Sequence, residues 1–193
     1  MMQIALATRI HTTPPLLARW RPRMAQRPML AALALGAGMG LLASVCSLFV
    51  LALALQLLPP EQWGNSAASS LAGLSPGRIF ILAVLLAPVL ETLLGQVLPV
   101  ELAQRLGAAP LACMLFSGLV FGCGHLVNGG LVHALAASLS GTVFACAYVA
   151  LRWLGIRPGF LAAATAHAVQ KCRRPPVSRV RLTAQFNRLM DTT

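Results

Sequence analysis

Glu91, His125, His133 and His167 are the side chains whose types and spacing suggest a reaction. A carboxylate can take a proton from water, and an imidazole can orient that water, polarise a carbonyl or donate to a developing oxyanion. Together such groups suit hydrolysis. Two imidazoles and one carboxylate also make a ligand set for a divalent metal such as zinc, so Glu91, His125 and His167 are the candidate ligands of a metal-dependent variant. The chain has no HExxH segment, which sets soluble-type zincins aside. Histidines on different helices are compatible with haem ligation, and a sunken acid with proton relay in a transporter. No CxxCH segment is present, which excludes covalent c-type haem. A lone histidine is usually a packing residue; what lends this set weight is its setting.

That setting is read from composition. Of 193 residues 58% are apolar and 10% charged, against roughly 45–50% and about 25% in soluble domains. Mean hydropathy is +0.76. So few charges cannot cover a soluble surface of this size, and the natural solvent is a bilayer. The net charge of +11 comes from fourteen arginines and one lysine against four acids. These cations gather before residue 29 and from Lys171 onward, with isolated arginines between. Apolar runs with basic flanks follow the positive-inside bias and do not line a groove for nucleic acid. Cys46, Cys113, Cys123, Cys146 and Cys172 form no CxxC pair, and four lie in apolar runs as small hydrophobes. No disulfide framework is implied.

The elements follow from the charge-free runs. Residues 1–28 form a basic, proline-interrupted arm, read either as a cytoplasmic arm or as a mitochondrial-type presequence; a secretory signal fits poorly. Abundant Arg and Ala hint at a GC-rich bacterial source, hence an inner membrane with the N-terminus cytoplasmic. The transmembrane domain is 29–171, and 172–193 is a basic tail suited to anionic lipid. Within the domain, 29–58, 79–100, 111–127 and 131–151 are four firm spans, each long enough or nearly so at about 20 residues per crossing. Gly36, Gly38 and Gly40 in the first suggest close helix packing. A polar loop covers 59–78, a short turn 101–110, and a tight turn Asn128-Gly129-Gly130. A short fifth helix around 159–170 is either re-entrant or a full helix with snorkelling basic ends. Four crossings return the chain inside at Arg152 and Arg157, so a basic tail that is also inside favours a fifth helix that does not cross fully. The fold class is therefore all-α, a polytopic transmembrane bundle, since lipid-embedded backbone must satisfy itself.

Depth arithmetic brings three of the four groups together. At ~1.5 Å per residue, Glu91 lies roughly 15 Å above the turn at Glu101, and His167 roughly 15 Å above Arg157. His125 lies roughly 24 Å above its own turn, but side chains lean toward the helix N-terminus, which narrows the gap. His133, beside the outer turn, meets the glutamate less readily.

Three segments carry a resemblance: APVLETLLGQ (87–96), LFSGLVFGCGHL (115–126) and FLAAATAHAVQK (160–171). In order they are similar to the EExxxR, FxxxH and HxxxN motifs of the CPBP/ABI family of intramembrane proteases, relatives of the type II CAAX prenyl endopeptidases and of bacterial self-immunity proteins. The resemblance covers roughly 79–171 and implies a helical bundle around a cavity reached by water and a peptide. It implies that Glu91 activates the attacking water with help from His125, and that His167 assists at the oxyanion. The implied partners are membrane lipid and a peptide or protein substrate, with no cofactor beyond a divalent metal. Three positions depart from the pattern: Thr92 for the second glutamate, Gln96 for the arginine, and Lys171 for the asparagine, with Gln170 or Lys171 as replacement donors. A catalytically impaired relative, acting in self-immunity or as a scaffold, is the alternative.

Overall fold

A computed structural model describes residues 19–59 and 73–173. Most of the basic arm, most of the polar loop and nearly all of the basic tail lie outside them. Six helices are described: α1 (Arg21–Gln26), α2 (Pro28–Leu57), α3 (Pro76–Arg105), α4 (Pro110–Val127), α5 (Gly129–Leu154) and α6 (Ile156–Arg173). No strand occurs among the described residues. Four of the helices, α2 to α5, are long and apolar enough to cross a membrane.

Prolines set several starts. Pro28, Pro76 and Pro110 occupy first-turn positions, where a missing N–H costs nothing. Gly130 separates α4 from α5 with φ 74° and ψ −179°, a backbone open to glycine and little else. The turn expected at Asn128-Gly129-Gly130 is therefore real. The turn expected over 101–110 is present but shorter, at 106–109: α3 continues through Arg105, and Glu101 is not a boundary charge but a paired one. Its oxygens accept from Tyr148 Oη and Arg152 Nε, each at 2.5 Å, and from Arg152 Nη2 at 3.2 Å.

The last helix explains the layering. α6 is one uninterrupted helix of 18 residues, with no re-entrant reversal. It is too polar to rank with the four lipid-facing spans, carrying Arg157, Lys171 and Arg173. Ala162, Ala163, Ala166 and His167 are nonetheless almost wholly buried, because the other helices screen α6 from lipid. Its closest neighbour is α2. A Cβ on Gly36 would fall 2.5 Å from the Ala162 carbonyl oxygen, and one on Gly40 2.5 Å from that of Ala166. Gly38 faces nothing within 4 Å, so only two of the three glycines serve the contact. The contacts advance together along both chains, so α2 and α6 run parallel. α5 runs against both: Ser47 meets Ser140, and Ala32 packs with Ala147, Leu151 and Ala162. By this register Arg173 lies near the level of Ser47, and α2 continues for ten more residues. In an 18-residue apolar stretch of α5, 61% of residues are buried, against 22% in the corresponding stretches of α2 and α3, so α5 and α6 form the core and the others its lipid-facing wall.

Candidate functional site

α3 carries the carboxylate, and its helical register is altered on both sides of it. π-helical turns occupy Phe80–Leu86 and Leu93–Val97, flanking Glu91. Pro99 has no N–H to give the Gly95 carbonyl four residues back; Ser117 Oγ of α4 donates to it at 2.7 Å. That bond ties the widened turn to α4. Gly95 also admits the ring of Phe121, which a Cβ would meet at 2.6 Å.

Phe121 is the pivot of the site. Its ring centroid lies 4.4 Å from that of His125, 5.3 Å from His167 and 6.0 Å from Phe144. His167 also stacks on Phe144 at 4.7 Å with planes 23° apart. The Phe121 carbonyl lies 2.8 Å from His125 Nδ1. A carbonyl only accepts, so Nδ1 carries the proton and Nε2 of the neutral ring is left with its lone pair. His167 is 2% exposed, and its Nδ1 has no partner. A buried unpaired acceptor costs less than a buried unpaired N–H, which assigns the His167 proton to Nε2.

Glu91 receives these groups on one oxygen. His167 Nε2 lies 3.2 Å and His125 Nε2 3.6 Å from Oε2. Neither contact has hydrogen-bond alignment, and Oε2 is buried without a partner. The other oxygen, Oε1, accepts from Lys171 Nζ at 2.8 Å. Three helices thus converge on a single carboxylate, as the depth arithmetic anticipated for Glu91, His125 and His167. His133 joins the cluster from α5, its ring centroid 5.2 Å from that of His125.

The three departures from the motif pattern have separate fates. Thr92 and Gln96 are wholly buried, and neither the Thr92 hydroxyl nor the Gln96 amide has a partner. Gln170, one of two expected replacement donors, is turned away: its Nε2 reaches Ser140 Oγ at 2.7 Å, Ser47 Oγ at 2.8 Å and the Ala43 carbonyl at 3.1 Å. Lys171 takes the carboxylate. Sequence reasoning treated Lys171 as a lost asparagine and did not pair it with Glu91; the signal was its position four residues after His167, on the same helical face. Phe144 was missed altogether, having no motif to mark it.

The donor set fits a metal poorly. Among the described residues no group of three or more His, Cys, Asp or Glu side chains is arranged to hold one. A divalent ion on Glu91 would also face the Lys171 ammonium, already 2.8 Å from Oε1. The cluster is better suited to moving a proton: an unpartnered carboxylate oxygen beside one imidazole acceptor and one imidazole donor.

Comparison with known proteins agrees with the motif pattern. No curated protein and no solved structure shows significant similarity to the chain. A family model, type II CAAX prenyl endopeptidase Rce1-like, matches residues 74–171, just over half of the chain. That stretch runs from the start of α3 to Lys171 and contains Glu91 with the three side chains paired to it, His125, His167 and Lys171. This integral membrane protein, with its four apolar spans, belongs to the Rce1-like family of type II CAAX prenyl endopeptidases.

Proposed function

We propose that the protein is an active intramembrane endopeptidase in which Glu91 activates water, His125 orients it and His167 stabilises the oxyanion. The observation that carries this reading is the free Oε2 of Glu91, flanked by Nε2 atoms from two other helices. A water donating one hydrogen to Oε2 and the other to the His125 Nε2 lone pair would present its oxygen to a carbonyl carbon. Glu91 takes the proton as the water oxygen attacks, and the carbonyl oxygen becomes an oxyanion that accepts from His167 Nε2–H. Collapse breaks the C–N bond, and the proton on Glu91 passes to the leaving amine. General-base catalysis is worth about 10²–10⁴ in rate, and one oxyanion donor about 10²–10³.

The substrate in this reading is a peptide bond of a membrane-associated protein. A prenylated cysteine next to it is the family's namesake and does not transfer automatically, because bacteria generally lack such proteins. Lipid is the surrounding partner, with the end carrying Arg105, Arg152 and Arg157 facing the cytoplasm of a bacterial inner membrane. No metal takes part in these steps. A second reading, an impaired relative serving self-immunity or as a scaffold, draws on Thr92 and Gln96, which are buried without partners where the family pattern has charged groups.

One experiment separates the two. Membranes containing the wild type, Glu91→Gln, His125→Ala and His167→Ala are assayed for cleavage of a membrane-anchored reporter library, with and without chelator. The protease reading expects cleavage by the wild type, resistant to chelator and lost in each variant. Full cleavage by all three variants would end the site assignment, and a chelator-sensitive wild type would end the metal-free mechanism.

A further inference from the structure

We propose that Lys171 is the fixed counter-ion of Glu91, a positioning residue that holds Oε1 so that Oε2 alone faces the imidazoles. The pairing itself does not rest on the protease reading; only its effect on cleavage does.

The charge inventory supports the assignment. Lys171 is the only lysine in the chain. Two other cations are committed elsewhere: Arg152 is bidentate on Glu101, and Arg21 lies over the Trp153 ring at 4.4 Å. Arg78 and Arg105 sit on α3 itself but more than three helical turns from Glu91 in either direction. Between them α3 offers the uncharged Thr92 and Gln96 on its buried face. A carboxylate sunk among apolar helices requires a compensating charge, and at 2.8 Å Lys171 supplies it from α6.

The surroundings also hold that cation still. Gln170 precedes it, and the Gln170 amide is hydrogen-bonded to α2 and α5 at once. Ser47 and Ser140 close the network at 2.7 Å. These bonds fix the height and rotation of α6 one residue before Lys171. His167, one turn earlier, presents Nε2 to the other oxygen of the same carboxylate. One helix therefore divides Glu91 between an ammonium on Oε1 and an imidazole near Oε2. An ammonium in this position also does the electrostatic work a bound metal would do, which accounts for the poor fit of the donor set to zinc.

The test reads the charge state of Glu91 directly. Infrared difference spectra between each form and the same form carrying Glu91→Gln isolate the Glu91 carboxyl. In the otherwise wild-type chain at neutral pH the carboxylate bands should dominate. In Lys171→Met the protonated-carboxyl band should appear, and Lys171→Arg should keep the carboxylate. Because Lys171→Met could fail to fold, a second arm acylates the sole lysine of the already folded protein; the same band should appear there and not in acylated Lys171→Arg. Cleavage should fall about tenfold to a hundredfold in Lys171→Met and recover to within a few-fold of wild type in Lys171→Arg. A carboxylate unchanged by both Lys171→Met and acylation overturns the proposal. If that happens while Glu91→Gln abolishes cleavage, the protease reading survives alone. If the band appears but Glu91→Gln cleaves normally, the counter-ion stands and the protease reading fails.

Discussion

α3 carries two carboxylates ten residues apart, and the molecule treats them oppositely. Glu101 is saturated: Tyr148 and Arg152 occupy one oxygen and Arg152 the other, in a two-pronged pairing that joins α3 to the end of α5. Glu91 is half saturated, with Lys171 on Oε1 and Oε2 unpartnered between two imidazoles. Both are partly exposed, at 19% and 30%, so burial does not distinguish them. The difference lies in what each partner leaves available. A carboxylate with all its acceptor directions filled by fixed donors is a clamp. One with an oxygen left over, next to groups that can exchange protons, is a reagent.

The sharpest test of this contrast exchanges each carboxylate for its amide. Glu91→Gln should lower cleavage at least about 10³-fold, the upper range for removing a general base, with little change in thermal unfolding. Glu101→Gln should do the reverse. It leaves the Arg152 guanidinium without its charge partner, which costs up to about 3–5 kcal/mol for a buried pair, while cleavage stays within a few-fold at temperatures where the protein is folded. Unfolding curves and cleavage rates measured on the same preparations check both. Equal effects of the two substitutions on activity would erase the distinction.

A second test moves the partners and leaves the carboxylate in place. Gly40→Leu forces a side chain against the Ala166 backbone, one residue before His167. Displacing α6 separates His167 and Lys171 from Glu91 together, so cleavage should fall about a hundredfold, since a misplacement near 1 Å is enough for that. Gly38→Leu, which meets nothing within 4 Å, should leave cleavage intact. The Glu101 clamp, built from α3 and α5, should survive Gly40→Leu; a Trp153 fluorescence signal near Arg152 that is unchanged in the variant would report it.

The same contrast shows what could be read before any coordinates. Charge-free run lengths and ~1.5 Å per residue sufficed to set four spans and to bring Glu91 and His167 to one depth, with the lean of side chains narrowing the gap to His125. These are properties of each helix alone. The partners were not legible in the same way. Glu101 reads as a helix boundary because charge at the edge of an apolar run ordinarily marks one; only the fold brings Arg152, 51 residues away, onto it. Lys171 reads as a departure from HxxxN, since its partner lies 80 residues upstream on an antiparallel helix. Gly38 looks equivalent to Gly36 and Gly40 in sequence, but two residues is half a helical turn, which puts it on the opposite face. Axial position is written locally, whereas rotational facing depends on which helix packs where.

His133 gives the finest adjustment of the comparison, because its ring packs against that of His125 beside the reagent. The His125 ring is held twice: by the Phe121 carbonyl on Nδ1, and by its neighbours' rings, with Phe121 at 4.4 Å and His133 at 5.2 Å. His133→Ala removes one ring contact and keeps the hydrogen bond that sets the tautomer. Ring pairs of this kind contribute about 0.5–1.5 kcal/mol, so kcat should fall roughly twofold to tenfold with KM little changed. His133→Phe, which restores an aromatic face and removes the titrating group, should recover most of that loss. Recovery by phenylalanine would confine the reacting groups to those that meet Glu91 Oε2. Failure of phenylalanine, with a loss as large as that of His167→Ala, would mean that protons reach Glu91 through a chain of imidazoles, and the boundary between reagent and scaffold would then run one residue further out along α5.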